Sequence, residues 1–343
     1  MRKPSPQLPA AIILRKDAAM ITTHDDLPHP VPPYAYLRYK ENWFFIIIDA
    51  ENDVFGMAHF NCEPGHDRAR FSCNLMIRQE LFKYGVQVPF PANFAYSRQI
   101  GDDRLQARFI EAHKHIDLSL HSSDVDLDMS FLALAPTFDY QNSDAANPNR
   151  PTPSEIVSFG THQEFHHQQQ AMRISGTLKL NSGKSAGQTI VLKGVGYRDH
   201  SRAMRADNFT LKHVWTFLYF PSTLFGLMSL TGSLRPGSTS LTGYVHDADG
   251  TRSLGEMSVI NHGLLPDKNP EQVEFKLQDV YGKPFTVIAD IARRMGYVPL
   301  ITEKPDNNGF FYNITENFAP ATLKETGETG VSLVEIGHQT KKL

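Results

Sequence analysis

The chain has few of the features that assign a protein to a class on sight. Only two cysteines, Cys62 and Cys73, occur in 343 residues, which excludes a disulfide scaffold. Either they face each other across a hairpin, or they are two buried thiols in a reducing compartment. Charge of one sign is missing too: 34 basic against 37 acidic side chains leave a formal −3. No basic excess invites nucleic acid, and no basic amphipathic stretch invites a membrane surface. Long apolar runs are absent. Ala10 to Leu14 is too short for a signal-peptide core, and Trp43 to Ile48 cannot span a bilayer. The expectation is a cytoplasmic protein with no integral membrane segment. Helix signals are confined to Gln79–Tyr84 and Val287–Met295, and the second also reads as a strand. Neither a Gly-x-x-x-x-Gly-Lys loop nor a Gly-x-Gly-x-x-Gly opening a helix is present. No cofactor is therefore expected.

What is present is a period of two. Ile116, Leu118 and Leu120 alternate with Asp117, Ser119 and His121; Val125, Leu127 and Met129 alternate with Asp124, Asp126 and Asp128. Met172, Ile174, Leu178 and Leu180 repeat the pattern, as do Val273, Phe275 and Leu277. Such alternation places one set of side chains in a core and the other in water, as in antiparallel strands. Turn clusters such as Asn181-Ser-Gly-Lys and Asp247-Ala-Asp-Gly punctuate it. With 41% apolar residues and so little helix, the sheets must curl to hide their edges. An all-β chain of two consecutive antiparallel barrels follows. The expected divisions are a Pro-rich extended arm over 1–33, a first barrel over 34–140, a polar Pro/Asn-rich linker over 141–160 and a second barrel over 161–343. Each half holds one tryptophan in an apolar stretch followed by Phe-Gly: Trp43 with Phe55-Gly56, and Trp215 with Phe225-Gly226. A duplicated barrel explains the repeat.

Chemistry concentrates in Gly194-Val-Gly-Tyr-Arg-Asp-His-Ser-Arg-Ala-Met-Arg205. Two glycines one residue apart permit close backbone approach in a strand, and polar groups then crowd seven of the next nine positions. The segment is equally compatible with a charged strand holding internal ion pairs. A second cluster, His162-Gln-Glu-Phe-His166-His167, offers imidazoles to a metal, a solvated segment, or a pocket wall. His113 with His115, and the aspartates at 124, 126 and 128, read as the wet face of a sheet. His213 and His262 are pocket candidates, and Glu335 stays unassigned.

These residues resemble the AttH-like, lipocalin-like superfamily, which includes carotenoid 1,2-hydratases and has tocopherol cyclases and some Diels–Alder cyclases as relatives. The likeness rests on Gly194-Val-Gly-Tyr-Arg-Asp-His-Ser201, on Glu41-Asn-Trp-Phe-Phe near the start and on Gly330-Val-Ser-Leu-Val-Glu335 near the end, spanning about residues 34 to 338. Two departures stand out: Arg202-Ala203 replaces the usual Trp-Gly, and His167-Gln-Gln-Gln replaces a segment that often carries a carboxylate. The resemblance implies two lipocalin-like β-barrels with a pocket for an apolar, often terpenoid, molecule. It implies a cofactor-independent hydratase, dehydratase or isomerase/cyclase with Asp199 as proton donor, assisted by His200 and Tyr197. His167, Gln169, Ser201, Arg205, Trp215, Phe217 and His262 would contact a terpenoid, steroid-like or aromatic substrate. Two other readings stay open: a non-catalytic carrier of hydrophobic ligands, and a metal-dependent hydrolase using His162, His166 or His167 with Asp199.

Overall fold

A computed structural model describes residues 21–33, 38–140, 166–204, 210–232, 239–301 and 309–341. The expected all-β class is what these residues adopt, in twenty strands. The first sheet contains β1 (Tyr39–Asp49), β2 (Val54–Glu63), β3 (Arg68–Ile77), β4 (Glu80–Val88), β5 (Gln99–Gly101), β6 (Leu105–Glu111), β7 (His115–His121), β8 (Val125–Ala133), β9 (Phe138–Asp139), β10 (His166–Leu180) and β11 (Thr189–Met204). Its order is β4-β3-β2-β1-β11-β10-β8-β7-β6-β5, with β9 on β10. The second sheet contains β12 (Thr210–Tyr219), β13 (Leu224–Gly232), β14 (Thr239–Asp247), β15 (Gly250–His262), β16 (Gln272–Asp279), β17 (Pro284–Asp290), β18 (Gly296–Ile301), β19 (Phe310–Leu323) and β20 (Glu328–Lys341). There the order β17-β16-β15-β14-β13-β12-β20-β19 returns to β17, closing an eight-stranded barrel, while β18 hangs on β19. The first sheet curls as an open half-barrel; the Tyr84 hydroxyl donates to Asp102, linking β4 to the loop after β5.

Sheet membership does not follow the division read from the sequence. β10 and β11, assigned there to the second barrel, pair with β8 and β1 and fill the middle of the first sheet. The polar stretch before residue 166 therefore joins β9 and β10 of one sheet, and the sheets part between Met204 and Thr210. Strands fifteen and sixteen residues long would expose two ribbons of unpaired backbone unless they were inserted between existing edges. The two helix candidates are strand as well. Arg78 and Gln79 form a positive-φ turn into β4, and Val287 to Asp290 lies in β17, followed by one 3-10 turn at Ile291–Arg293. Ladder pairing of β4 with β3, and of β17 with β16 and β19, gives these short apolar runs hydrogen-bond partners, whereas an isolated helix of that length is marginal in water. Among the described residues no helix is long and apolar enough to cross a membrane.

The repeated Trp…Phe-Gly pattern marks the first hairpin of each sheet, β1–β2 and β12–β13. The two tryptophans differ in facing: Trp43 points into the first sheet's core, Trp215 into the layer between the sheets. Three apolar clusters result, one inside each curled sheet and one between them. Both cysteines are buried, unbonded thiols, opposite Ala69 and Ala58 rather than each other; burial lifts the Cys73 thiol to about 12.

The described part of the arm, 21–33, lies across the mouth of the first sheet. Asp26 is fully buried and forms an ion pair with Arg198. It also accepts from the His113 amide at 2.6 Å. His113 is thus not on a wet strand face, as expected, but on a positive-φ turn sealing the arm. Arg198 has donors only, so His113 Nδ1 accepts from it at 3.2 Å and Nε2 donates to the Thr22 carbonyl at 2.8 Å.

Candidate active site

β11 is a strand with two differently employed faces. Its neighbours fix them: Arg198 lies opposite Phe45 and Gln170, Asp199 opposite Phe44 and Gln169, and His200 opposite Trp43 and Gln168. Paired residues share a face and successive ones alternate. Arg198, His200 and Arg202 therefore point toward the arm, and Tyr197, Asp199 and Ser201 toward the inter-sheet layer.

This separates His200 from Asp199, correcting the expectation that it assists there. His200 stacks on Trp43 at 4.5 Å and bonds Glu41 Oε1 at 2.9 Å. His29 Nδ1 reaches the same oxygen at 2.8 Å, while the Tyr39 hydroxyl donates to Oε2 at 3.0 Å. His29, Glu41 and His200 are the one group of three among the described residues with metal-ligand spacing. However, Arg202 contacts His29 Nε2. A guanidinium can only donate, so Nε2 accepts and Nδ1 carries the proton given to Glu41. In that tautomer, His29 and His200 both hydrogen-bond Glu41 Oε1.

Burial alone would raise the Glu41 carboxyl, but hydrogen bonds from His200 and His29 hold it at about 2. Burial pushes the His200 imidazole down to about 4. The unfolded chain thus takes up a proton on the histidine as pH falls from 6.5 toward 4, and on the glutamate from 4.5 toward 2, before the folded chain can. Both depressed groups stabilise the fold above these windows and cease to within them. We expect urea midpoints to fall by a few kcal/mol equivalent between pH 7 and 3. The lower part of that fall should vanish in Glu41→Gln; a flat profile in the parent protein contradicts the assignment.

On the opposite face of β11, polar groups converge in an aromatic setting. Asp199, 9% exposed, receives the Gln169 side-chain N–H at 3.0 Å and contacts His167 Nε2 through the same oxygen. The Gln169 carbonyl accepts from both the Tyr140 and Tyr197 hydroxyls, at 2.7 and 2.6 Å. Those two donors fix the amide so that its nitrogen faces Asp199. Tyr244, from the second sheet, bonds Tyr197 at 2.8 Å, and Tyr140 stacks on His167 at 4.8 Å. Burial keeps the Tyr197 and Tyr140 phenols protonated far above their usual range.

The facing wall comes from β12, β19 and β20. Trp215 lies opposite Glu335, and Glu335 opposite Glu316, so all three share the inward face. His213 contacts Glu335 through Nε2 and bonds the Tyr312 hydroxyl at 2.5 Å through Nδ1. Burial, reinforced by repulsion from Glu335, drives the Glu316 carboxyl well above the usual range, so it is protonated. Burial also works against ionisation of Glu335, but the His213 imidazole holds it below the ordinary value. The opposite shifts favour a neutral Glu316 beside a charged Glu335. The Asp199 charge reaches Glu335 across the layer. Between the walls, Phe44 meets Trp215 edge-on at 5.6 Å, and Tyr197 stacks on Phe217 at 4.3 Å.

Glycine makes room for both polar groups. A Cβ on Gly226 would lie 2.1 Å from the Tyr197 hydroxyl and 3.0 Å from Gln169 Oε1. On Gly337 it would lie 2.1 Å from the His213 ring. We expect Gly226→Ala to cost about 1–3 kcal/mol by overpacking, read as a lower unfolding midpoint. An unchanged midpoint would show that Tyr197 can yield without loss.

The sequence candidates thus part company. Tyr197, Asp199, Ser201, His167, Gln169, Trp215 and Phe217 share the inter-sheet layer. His262 does not: its side chain is 49% exposed and bonds Glu274 at 2.9 Å, because it ends β15 at the outer rim. His166 and His167 occupy opposite faces of β10, which rules out one ion held by both. His162 and Arg205 lie outside the described residues. Sequence reasoning missed Glu316, Tyr244 and Tyr140. Glu316 carried a signal, being a carboxylate at an apolar position of the Ile314-x-Glu316-x-Phe318 alternation; the two tyrosines carried none.

This arrangement, a closed barrel and a half-barrel sharing a polar nest in an aromatic layer, is the AttH-like, lipocalin-like fold. The chain belongs to the family described as "Domain of unknown function (DUF7064)", which matches residues 22–340. Three solved structures share its architecture. Kievitone hydratase from Nectria haematococca has 13% identity, 87% of this chain and 88% of that one covered, and a TM-score of 0.60. CghA with Sch210972 has 9% identity, 92% and 94% covered, and a TM-score of 0.64. A putative AttH from Nitrosomonas europaea has 12% identity, 87% and 92% covered, and a TM-score of 0.57. At such identities the likeness concerns the fold. No curated protein matches the sequence.

Proposed function

We propose that the chain is a cofactor-independent acid–base enzyme acting on a hydrophobic small molecule between its two sheets, as a hydratase, dehydratase or isomerase/cyclase. The observation that carries this is a pair of buried acid–base groups on facing walls of an aromatic layer. Asp199 with His167 supplies the base. Glu316, protonated beside Glu335 and His213, supplies the acid. In this reading Glu316, rather than Asp199, is the proton donor. Asp199 accepts the Gln169 N–H, which favours its charged form. Tyr197 orients Gln169 and through it Asp199, and Trp215 and Phe217 shield the reacting carbons. The kievitone hydratase fold match is consistent with chemistry of this kind.

A screen tests it. Terpenoid, steroid-like and aromatic alkenes and ketones are incubated with the protein in D2O containing H2-18O and read by mass spectrometry. Solvent deuterium or 18O should appear in at least one bound compound. Binding without any isotope uptake would leave a carrier and defeat the enzymatic reading.

A further inference from the structure

The indole of Trp215 is 6% exposed, and its Nε1 has no hydrogen-bond partner. A buried N–H left unpaired costs about 1–3 kcal/mol, so such groups in a folded protein call for an explanation. This one projects from β12 into the layer, with Phe44 and Tyr197 both 5.6 Å from its ring. It is flanked by Glu335 along the sheet ladder and by Asp199, whose strand partner is Phe44. We propose that the substrate carries a carbonyl oxygen, conjugated to its reacting double bond, that accepts a hydrogen bond from Trp215 Nε1.

An indole N–H only donates, so the ligand atom must accept. A carboxylate is disfavoured between Asp199 and Glu335, two like charges in a poorly solvated layer. The acid on the page also points to a carbonyl. Glu316 is a weakened acid because burial raises its proton affinity; it is ill suited to turning an isolated alkene into a carbocation. A conjugated ketone needs no carbocation. Charge moves onto the carbonyl oxygen, where a preorganised N–H stabilises it. In a hydration, the Asp199–His167 pair takes one proton from water while its oxygen bonds the β-carbon. The carbon–carbon π pair shifts toward the carbonyl oxygen and then returns to bind a proton from Glu316 at the α-carbon. The net change is addition of one water, with no oxidant or reductant.

The inference rests on the proposed inter-sheet site, and the test separates the two. β-Ionone, its alcohol β-ionol and the hydrocarbon lacking the oxygen are titrated calorimetrically into the parent protein and Trp215→Phe. The ketone should bind the parent at least tenfold more tightly than the other two. It should lose that margin over the hydrocarbon in Trp215→Phe, whatever apolar contact both ligands lose with the indole. The ketone's infrared carbonyl band should shift to lower frequency on binding the parent, which reads the hydrogen bond without the variant. Equal binding of all three, an alcohol matching the ketone, or an unshifted carbonyl band would overturn the carbonyl inference and leave the apolar site standing. If none of the three binds, the site itself fails, and this inference with it.

Discussion

Asp199→Asn is expected to lower turnover by about 10²–10⁴-fold, the usual contribution of a positioned acid or base, while leaving the fold intact. The amide keeps the shape of the carboxylate and its oxygen can still accept the Gln169 N–H at 3.0 Å. What it loses is the capacity to take a proton. The measurement is deuterium uptake by whichever compound the isotope screen returns, with circular dichroism and melting as controls. A companion variant sharpens the reading. His200 is adjacent in sequence but faces Glu41 and Trp43, so His200→Gln should shift stability and leave the rate within a few-fold. If His200→Gln abolishes turnover and Asp199→Asn does not, the two faces of β11 have been assigned the wrong way round. If Asp199→Asn unfolds the chain while its soluble fraction stays active, Asp199 is structural.

The largest effect on stability should come from Asp26→Ala. Arg198 and Asp26 are both wholly buried and paired. Removing the carboxylate leaves a guanidinium inside the protein with only Gln170, His113 and Thr137 as neutral partners. Breaking such a pair costs about 3–5 kcal/mol, much of it the desolvation of the orphaned charge. Denaturant titration should show that loss, and the double variant Asp26→Ala/Arg198→Met should recover most of it. A single variant as stable as the parent would mean that water or the neutral partners satisfy Arg198, and that the arm is not held by charge.

Both predictions turn on one strand, and that strand shows why the sequence was legible only in part. The crowding of Tyr, Arg, Asp, His and Ser at 197–201 admitted two readings, ion pairs or a site. β11 does both. Its even positions anchor the arm through Arg198 and His200, and its odd positions place Tyr197 and Asp199 in the inter-sheet layer. Period two is visible in any sequence, but which parity faces which neighbour depends on register, and register is set by strands far away in the chain. Period two by itself separates Asp199 from His200 and His166 from His167 once both segments are strand; register decides which member of each pair meets the inter-sheet layer. Glu316 and Glu335 show the reverse case. Each breaks an apolar alternation, yet only the β19–β20 ladder puts them opposite each other.

Taken alone, the amino-acid sequence determined the class: alternation, turn clusters and the scarcity of helix signals allow little besides curled antiparallel sheets, because local periodicity is a local property. It also marked the segment where polar side chains crowd together, Tyr197 to Arg205. Tertiary structure alone decided that β10 and β11 complete the first sheet, that an arm closes its mouth, and that carboxylates from residues 199, 316 and 335 meet across one layer. Those outcomes depend on hydrogen-bonded pairing between segments up to a hundred and more residues apart, as in the His213–Glu335 contact, and no local pattern encodes the partner of a strand.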